Sequence, residues 1–210
     1  LRDKVDTHEV NRVRFNLPDR VTAKRFVFKL LYGATAYGYS TDGDFHEVGL
    51  SQKQWQAVID EFYSKYTGIA NWHKQLILEA QTNGRITIPS GRYYPITPDY
   101  TKREPWPLTV IKNYPVQGFG AELVALARLR AAQLIREHNI EAKLVGTIHD
   151  SIVCDAPSEN VEAVARLLKQ SVEEVPMYVK RLFNYEFTLP LTCEISSGPN
   201  KKDQQTIVFA

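Results

Sequence analysis

The chain has 210 residues, 43% of them apolar, with 26 lysines and arginines against 24 aspartates and glutamates for a formal net charge of +2. The apolar share makes it globular, and so even a charge balance says nothing by itself about a nucleic-acid or membrane partner. No apolar run approaches the ~18 residues of a membrane span and no signal peptide opens the chain, which leads to the expectation of a soluble, cytoplasmic protein with no membrane partner. Cys154 and Cys193 are the only cysteines. They are too few for a disulfide scaffold or a zinc site and are read as reduced core residues that pair only if the fold makes them neighbours. The first residue is Leu1 and the single methionine is Met177, so a processed or trimmed product, or a piece of something longer, is expected.

In chain order, Leu1 to Phe15 is charged and reads as a helix, and Pro18 with Asp19 punctuates before the next. The stretch "DRVTAKRFVFKLLYGATAYGYS", Asp19 to Ser40, sets Arg20, Lys24, Phe28 and Tyr32 four apart. A helix turns about 100° per residue, so a step of four drifts only ~40° and the four side chains share one side. Ala23, Phe26, Val27, Leu30, Leu31 and Ala34 follow the spacing of a core-facing stripe beside that row. Four cations (Arg20, Lys24, Arg25, Lys29) and no acid lie between Arg20 and Thr41, a local anion-attracting field. An amphipathic helix with merely solvated cations fits the same residues.

Glycines end this helix near Gly33 or Gly38. Ser51 starts a helix through Tyr66, and another runs from Ile69 to Thr82. "RITIPSGRYYPI" reads as a hairpin turning at Ser90 and Gly91, and the Pro98, Pro105 and Pro107 segment as loop. Pro115 is expected to open a long helix to about His138, ended by Asn139. "KLVGTIHDSIVCDAP" reads as two strands meeting at His149 and Asp150. Ser158 caps a helix that Pro176 stops, Tyr185 to Ser196 is a last strand, and the tail from Gly198 is polar. The organisation is α+β: a helical subdomain over 1–82 and a mixed one over 83–210.

Two further features carry possible chemistry. Asp150 at a strand turn is rigidly placed and can ligate a hard cation such as Mg²⁺, although aspartate is also an ordinary turn residue. Asn113 and Gln117, one helical turn apart, can read donors and acceptors in a minor groove, or can be a cap and an exposed amide.

The row Arg20, Lys24, Phe28, Tyr32 with Gly33 resembles motif B of family A DNA polymerases, the bacterial DNA polymerase I type. "NYPVQGFGAEL" resembles that family's N-x-P-V-Q-G helix, "TIHDSIVCDAP" is similar to its motif C, "GRYYP" to a segment before the long helix, and "DTHEV", with His8, to a D-x-H segment after motif A. The resemblance implies a right-hand polymerase, incomplete here: helical fingers, then a palm with an antiparallel sheet and packing helices. It implies that Arg20 and Lys24 grip the triphosphate of a dNTP, that Phe28 stacks on base and sugar, and that Tyr32 closes the pocket. By the same resemblance, Asn113 and Gln117 touch primer-template DNA, His149 meets the primer terminus, and Asp150 ligates Mg²⁺. The catalytic set would be Asp150, Lys24 and Arg20.

Three departures stand out. Ser151 occupies the place of a glutamate after the motif C aspartate, and Lys29 replaces a glycine, adding bulk and charge beside the nucleotide pocket. The motif A aspartate is absent, so an upstream polypeptide carrying it is expected as a partner. These departures also suggest a viral source. A phage-type single-subunit RNA polymerase shares the Arg, Lys, Tyr-Gly row and an "HDS" motif C, but lacks the "PVQG" and "GRYYP" segments. A non-catalytic nucleic-acid-binding subunit derived from a polymerase is the alternative of another class.

Overall fold

The structure, a computed structural model, describes residues 5–209. The expected first helix falls partly on residues 1–4, outside the described residues; its remainder forms α1 (Thr7–Arg14). Two compact units divide the chain. One takes in the described residues up to Thr87 together with Tyr93–Val116, and the other takes in Ile88–Arg92 and the chain from Gln117 on. The expected boundary after Thr82 is therefore not where the compact units part. The β-hairpin residues Ile86 and Ile96 and the helix residue Ile111 share one buried cluster with Leu76 and Ala80, which ties them to the helices before them.

In the first unit, α2 (Arg20–Leu31) begins at Asp19, whose side chain accepts from the Val21 and Thr22 amides. That cap satisfies two donors that an N-terminal turn would leave bare. The helix ends in a Schellman motif, with Gly33 N–H donating to the Leu30 carbonyl at 3.0 Å and Ala34 N–H to Lys29 at 2.9 Å. Gly38, the other expected terminator, lies inside α3 (Ala36–Thr41). A 3-10 turn over Gly43–Val48 leads to α4 (Gln52–Lys65), opened by a capping box between Ser51 and Gln54. The next helix, α5 (Thr67–Asn83), is stopped by Gly84 in the left-handed region.

The predicted stripe of α2 is buried as expected at Ala23, Phe26 and Leu30, with Val27 and Ala34 packed at its edge. It meets a cluster of rings. Phe26 packs on Trp55 and Tyr39, Tyr39 stacks on Trp55 at 4.9 Å, and Phe45 sets its edge to both Tyr39 and Trp55. Each such pair contributes about 0.5–1.5 kcal/mol beyond its area burial. The Tyr39 hydroxyl donates to the Phe26 carbonyl at 2.7 Å, which satisfies the polar tip of that ring. The hairpin β1 (Arg85–Thr87) and β2 (Tyr93–Pro95) is antiparallel, with Ile86 opposite Tyr94.

The long helix α6 runs Leu108–Glu137 and starts seven residues before the predicted Pro115. Pro107 precedes its first turn and accepts from the Ile111 amide at 3.0 Å, a place where a missing N–H costs nothing. Pro115 is buried inside the helix instead, where it withholds the bond that the Ile111 carbonyl would receive. Asn139, at φ 49°, terminates α6 as expected, with Ile140 N–H closing back on Ile135.

The second unit contains β3 (Lys143–Ile148) paired antiparallel with β4 (Ser151–Asp155), then a 3-10 turn and α7 (Val161–Glu173). Pro176 does not stop the chain in coil. It sits in the first turn of a further helix, α8 (Val175–Phe183), where proline is well tolerated. The predicted strand over 185–196 forms no ladder over most of its length; only Ser196–Ser197 (β5) pairs, with Gln205–Thr206 (β6) in the polar tail. Leu191, Cys193, Ile195 and Ser197 nonetheless alternate inward against exposed Thr192, Glu194 and Ser196. The side-chain period of a strand is present without the neighbour that would make it one. The three sheets among the described residues are two-stranded and antiparallel, so the architecture is α+β as predicted.

Candidate functional site

The row on α2 assembles as its spacing predicts. The Lys24 ammonium lies 5.8 Å from the Phe28 ring centre, and Phe28 and Tyr32 have centroids 6.4 Å apart. Phe28 is 42% exposed, a large apolar face left in water next to a cation. The folded chain adds a residue that helical spacing could not reveal: His8, on α1, places its ring 6.0 Å from Phe28. Its Nδ1 is shielded from solvent and has no hydrogen-bond partner among the described residues. The "DTHEV" resemblance marks His8 but gives it no place, because a contact between two helices has no signature in local periodicity.

The acid-free field over 20–41 is corrected by the fold. Asp6 binds Arg20, Nε to Oδ2 at 2.6 Å, while Asp44 approaches Arg25 at 3.4 Å and Lys29 at 3.3 Å, and Asp42 bonds Lys29. Acids remote in sequence return to three of the four cations, and Lys24 is the one without an ion pair among the described residues. The bond from Arg20 and the capped Glu9 amide hold the Asp6 carboxyl below its usual range. Lys29 is likewise not a charge beside the row. One residue past Phe28 is about 100° further round the helix, and its ammonium turns to Asp42, Asp44 and the Phe45 ring, 5.3 Å from its centre. Hydrogen bonding to Asp42 raises its pKa above that of a free lysine.

Asn113 belongs to the first unit, and its amide oxygen is buried with no hydrogen-bond partner among the described residues. Gln117, exposed, follows one turn later on α6, in the second unit. His149 and Asp150 form the two-residue tip between β3 and β4, where Ile148 pairs with Ser151. Both tip side chains are exposed. His149 takes φ 53°, the left-handed backbone that tight hairpin turns demand at their first position and that a non-glycine residue adopts at a cost. The hairpin carries a bulge between Leu144 and Gly146, and Arg128 of α6 donates to the Thr147 hydroxyl at 3.3 Å. The polar tip thus projects from a paired hairpin that Arg128 ties to α6. The row and Asn113 lie in one unit, and Gln117, His149 and Asp150 in the other.

Asp150 does not make a magnesium site on its own. A hard divalent cation takes several oxygen ligands, commonly two or more carboxylates when both ions of a pair are held. Among the described residues no group of three or more His, Cys, Asp or Glu side chains could hold a metal ion, and Ser151 brings no charge. Behind the tip, β4 and the segment 191–198 face each other across a cavity of about 680 Å³, floored by Leu123, Ala127 and Leu168. Cys154 and Cys193 line it as free thiols, each raised in pKa by burial. No helix among the described residues is long and apolar enough to cross a membrane.

Comparison with known proteins gives a consistent outcome. Residues 4–203 match the model of DNA polymerase family A. The chain is 26% identical over 184 residues to DNA polymerase I of Lactococcus lactis, covering 86% of this chain and 19% of the relative. It is 28% identical over 182 residues to that of Aquifex aeolicus (81% and 30%) and 26% identical over 188 residues to that of Bacillus subtilis (88% and 20%). The chain therefore spans between 19% and 30% of the length of these relatives. Among solved structures it is similar to the POL domain of Pol1 from M. smegmatis, determined in complex with DNA primer-template and dNTP. The TM-score is 0.67 at 16% identity, over 82% of this chain and 28% of that one. That likeness shows a shared polymerase-domain fold.

Proposed function

The chain belongs to DNA polymerase family A, and we propose that it supplies the fingers and much of the palm for template-directed DNA synthesis, the transfer of a nucleotidyl group from a dNTP to a primer 3′ hydroxyl. The observation that carries this reading is the α2 row, in which Lys24, Phe28 and Tyr32 stand in line beyond Arg20 with His8 against Phe28. A cation grips a polyphosphate and offsets the charge that develops as pyrophosphate leaves, while an exposed ring beside it offers a stacking face to a base or sugar. Arg20 extends the cationic end, and Tyr32, at the C-cap, bounds the other.

Asn113 and Gln117 suit contacts to primer and template, and the exposed β3–β4 tip suits delivery of His149 and Asp150 to a primer end. Asp150 would supply one carboxylate to Mg²⁺, and the remaining carboxylates would come from an upstream polypeptide carrying the motif A aspartate. Two features support such a partner: the single carboxylate that Asp150 offers, and an extended, alternating segment that lines a cavity together with β4 without pairing to it among the described residues. The protein would work inside the cell on primer-template DNA.

The test is single-nucleotide incorporation by the polymerase that contains this chain. Lys24→Ala should slow incorporation by the equivalent of about 2–4 kcal/mol of transition-state stabilisation while primer-template affinity changes little. Asp150→Asn should abolish extension and leave DNA binding in place. Equal losses of DNA affinity and turnover in Lys24→Ala would refute the assignment of the row to the nucleotide.

A further inference from the structure

Asp6 joins two elements of the row with its two oxygens. Oδ1 accepts from the His8 and Glu9 amides at 3.0 and 3.2 Å and so caps α1, the helix that carries His8. Oδ2 accepts from Arg20 Nε at 2.6 Å, at the first residue of α2. A guanidinium has five N–H donors in a planar fork, and a carboxylate on Nε leaves the outer edge, with both terminal nitrogens, available. Asp6 therefore fixes the plane of Arg20 without using the donors best suited to a phosphate.

The same carboxylate also has an opposite possible effect. An anion beside Arg20 weakens the local attraction for any polyanion, and on electrostatics alone its removal should tighten triphosphate binding. The geometry decides between these effects. Arg20 is half exposed on a long, rotamer-rich side chain, and a free arginine loses considerable entropy when a ligand orders it. A single charge at an exposed site is screened by solvent and salt, whereas the orientation of the fork persists.

We propose that Asp6 is a positioning residue for the nucleotide triphosphate: it pre-orients Arg20 through Nε and, by capping α1, helps hold His8 against Phe28 further along the row. This rests on the reading of the row as a nucleotide site.

Asparagine separates the two functions of Asp6. It caps a helix as well as aspartate does, but its second atom is an NH₂ group that faces the Arg20 Nε–H donor to donor. In Asp6→Asn, KM for the dNTP should rise about fivefold to tenfold with kcat changed much less, and the melting temperature should stay near that of the parent. In an Arg20→Ala background the same substitution should have no effect on KM. An unchanged or lowered KM in Asp6→Asn, with Arg20→Ala still raising KM, would overturn the positioning role and leave the nucleotide site standing. Arg20→Ala with an unaltered KM would instead refute the placing of the triphosphate at Arg20, and the inference with it.

Discussion

Replacing Gly33 by alanine tests how the end of α2 is built. Gly33 has φ 91°, and a Cβ placed there would stand 3.1 Å from Thr109 Cα, 3.4 Å from the Leu108 oxygen and 3.4 Å from Lys112 Cδ. Lys112 can swing its chain aside, but Thr109 and Leu108 are backbone at the start of α6 and yield only if that helix moves. The left-handed backbone costs a non-glycine residue about 1–2 kcal/mol, and crowding of a packed contact adds about 1 kcal/mol, for a total of roughly 2–3 kcal/mol. At roughly 2–4 °C per kcal/mol for a chain of this size, melting should fall by about 4–12 °C, read by circular dichroism or calorimetry. Gly38→Ala is the matched control, since Gly38 is helical and its added Cβ meets only Thr35 Oγ1 at 3.6 Å. Alanine there should be neutral or stabilising by up to about 0.5–1 kcal/mol. A Gly33→Ala protein that melts with the parent, or a Gly38→Ala protein that loses as much, would refute the packing argument.

His73 is buried at 3% exposure with Nδ1 3.1 Å from the Tyr63 hydroxyl; burial, with Lys112 nearby, pushes its pKa down to about 4. The unfolded imidazole takes its proton near pH 6.5, so the contribution of His73 is full above that pH. It is lost as pH falls from about 6.5 to about 4, on the order of 3 kcal/mol in all. Urea midpoints at pH 7 and pH 4.5 should show this loss in the parent and a much smaller one in His73→Gln; parallel losses would assign the acid sensitivity elsewhere. His149→Gly should relieve the left-handed backbone at the hairpin tip and slow amide exchange in β3 and β4 by the equivalent of about 1 kcal/mol. Unchanged or faster exchange would show that the tip is not strained.

Local physics is strongly legible in this sequence. The four-residue spacing of Arg20, Lys24, Phe28 and Tyr32 and the stripe through Ala23, Phe26 and Leu30 both require only helical geometry and the preference of apolar groups for a core, and both appear on α2. The His149–Asp150 tip follows from two apolar runs flanking a polar pair, and Asn139 ends its helix because it tolerates left-handed backbone. Prolines were less legible, because the same missing N–H is compatible with a helix start, just before it at Pro107 and in its first turn at Pro176, and with a buried interior position, as at Pro115.

Only tertiary structure decided the electrostatics of the row and the fate of the last strand. A charge is paired by whatever approaches in space: Asp6, Asp42 and Asp44 lie 13 to 19 residues from the cations they meet, where no periodicity reports them. His8 reaches Phe28 for the same reason, through the contact of two helices. Alternation from Leu191 to Ser197 encodes a two-faced extended segment, but a strand exists only when a neighbour accepts its backbone hydrogen bonds, and hydrogen-bond partners are a property of the fold rather than of the segment.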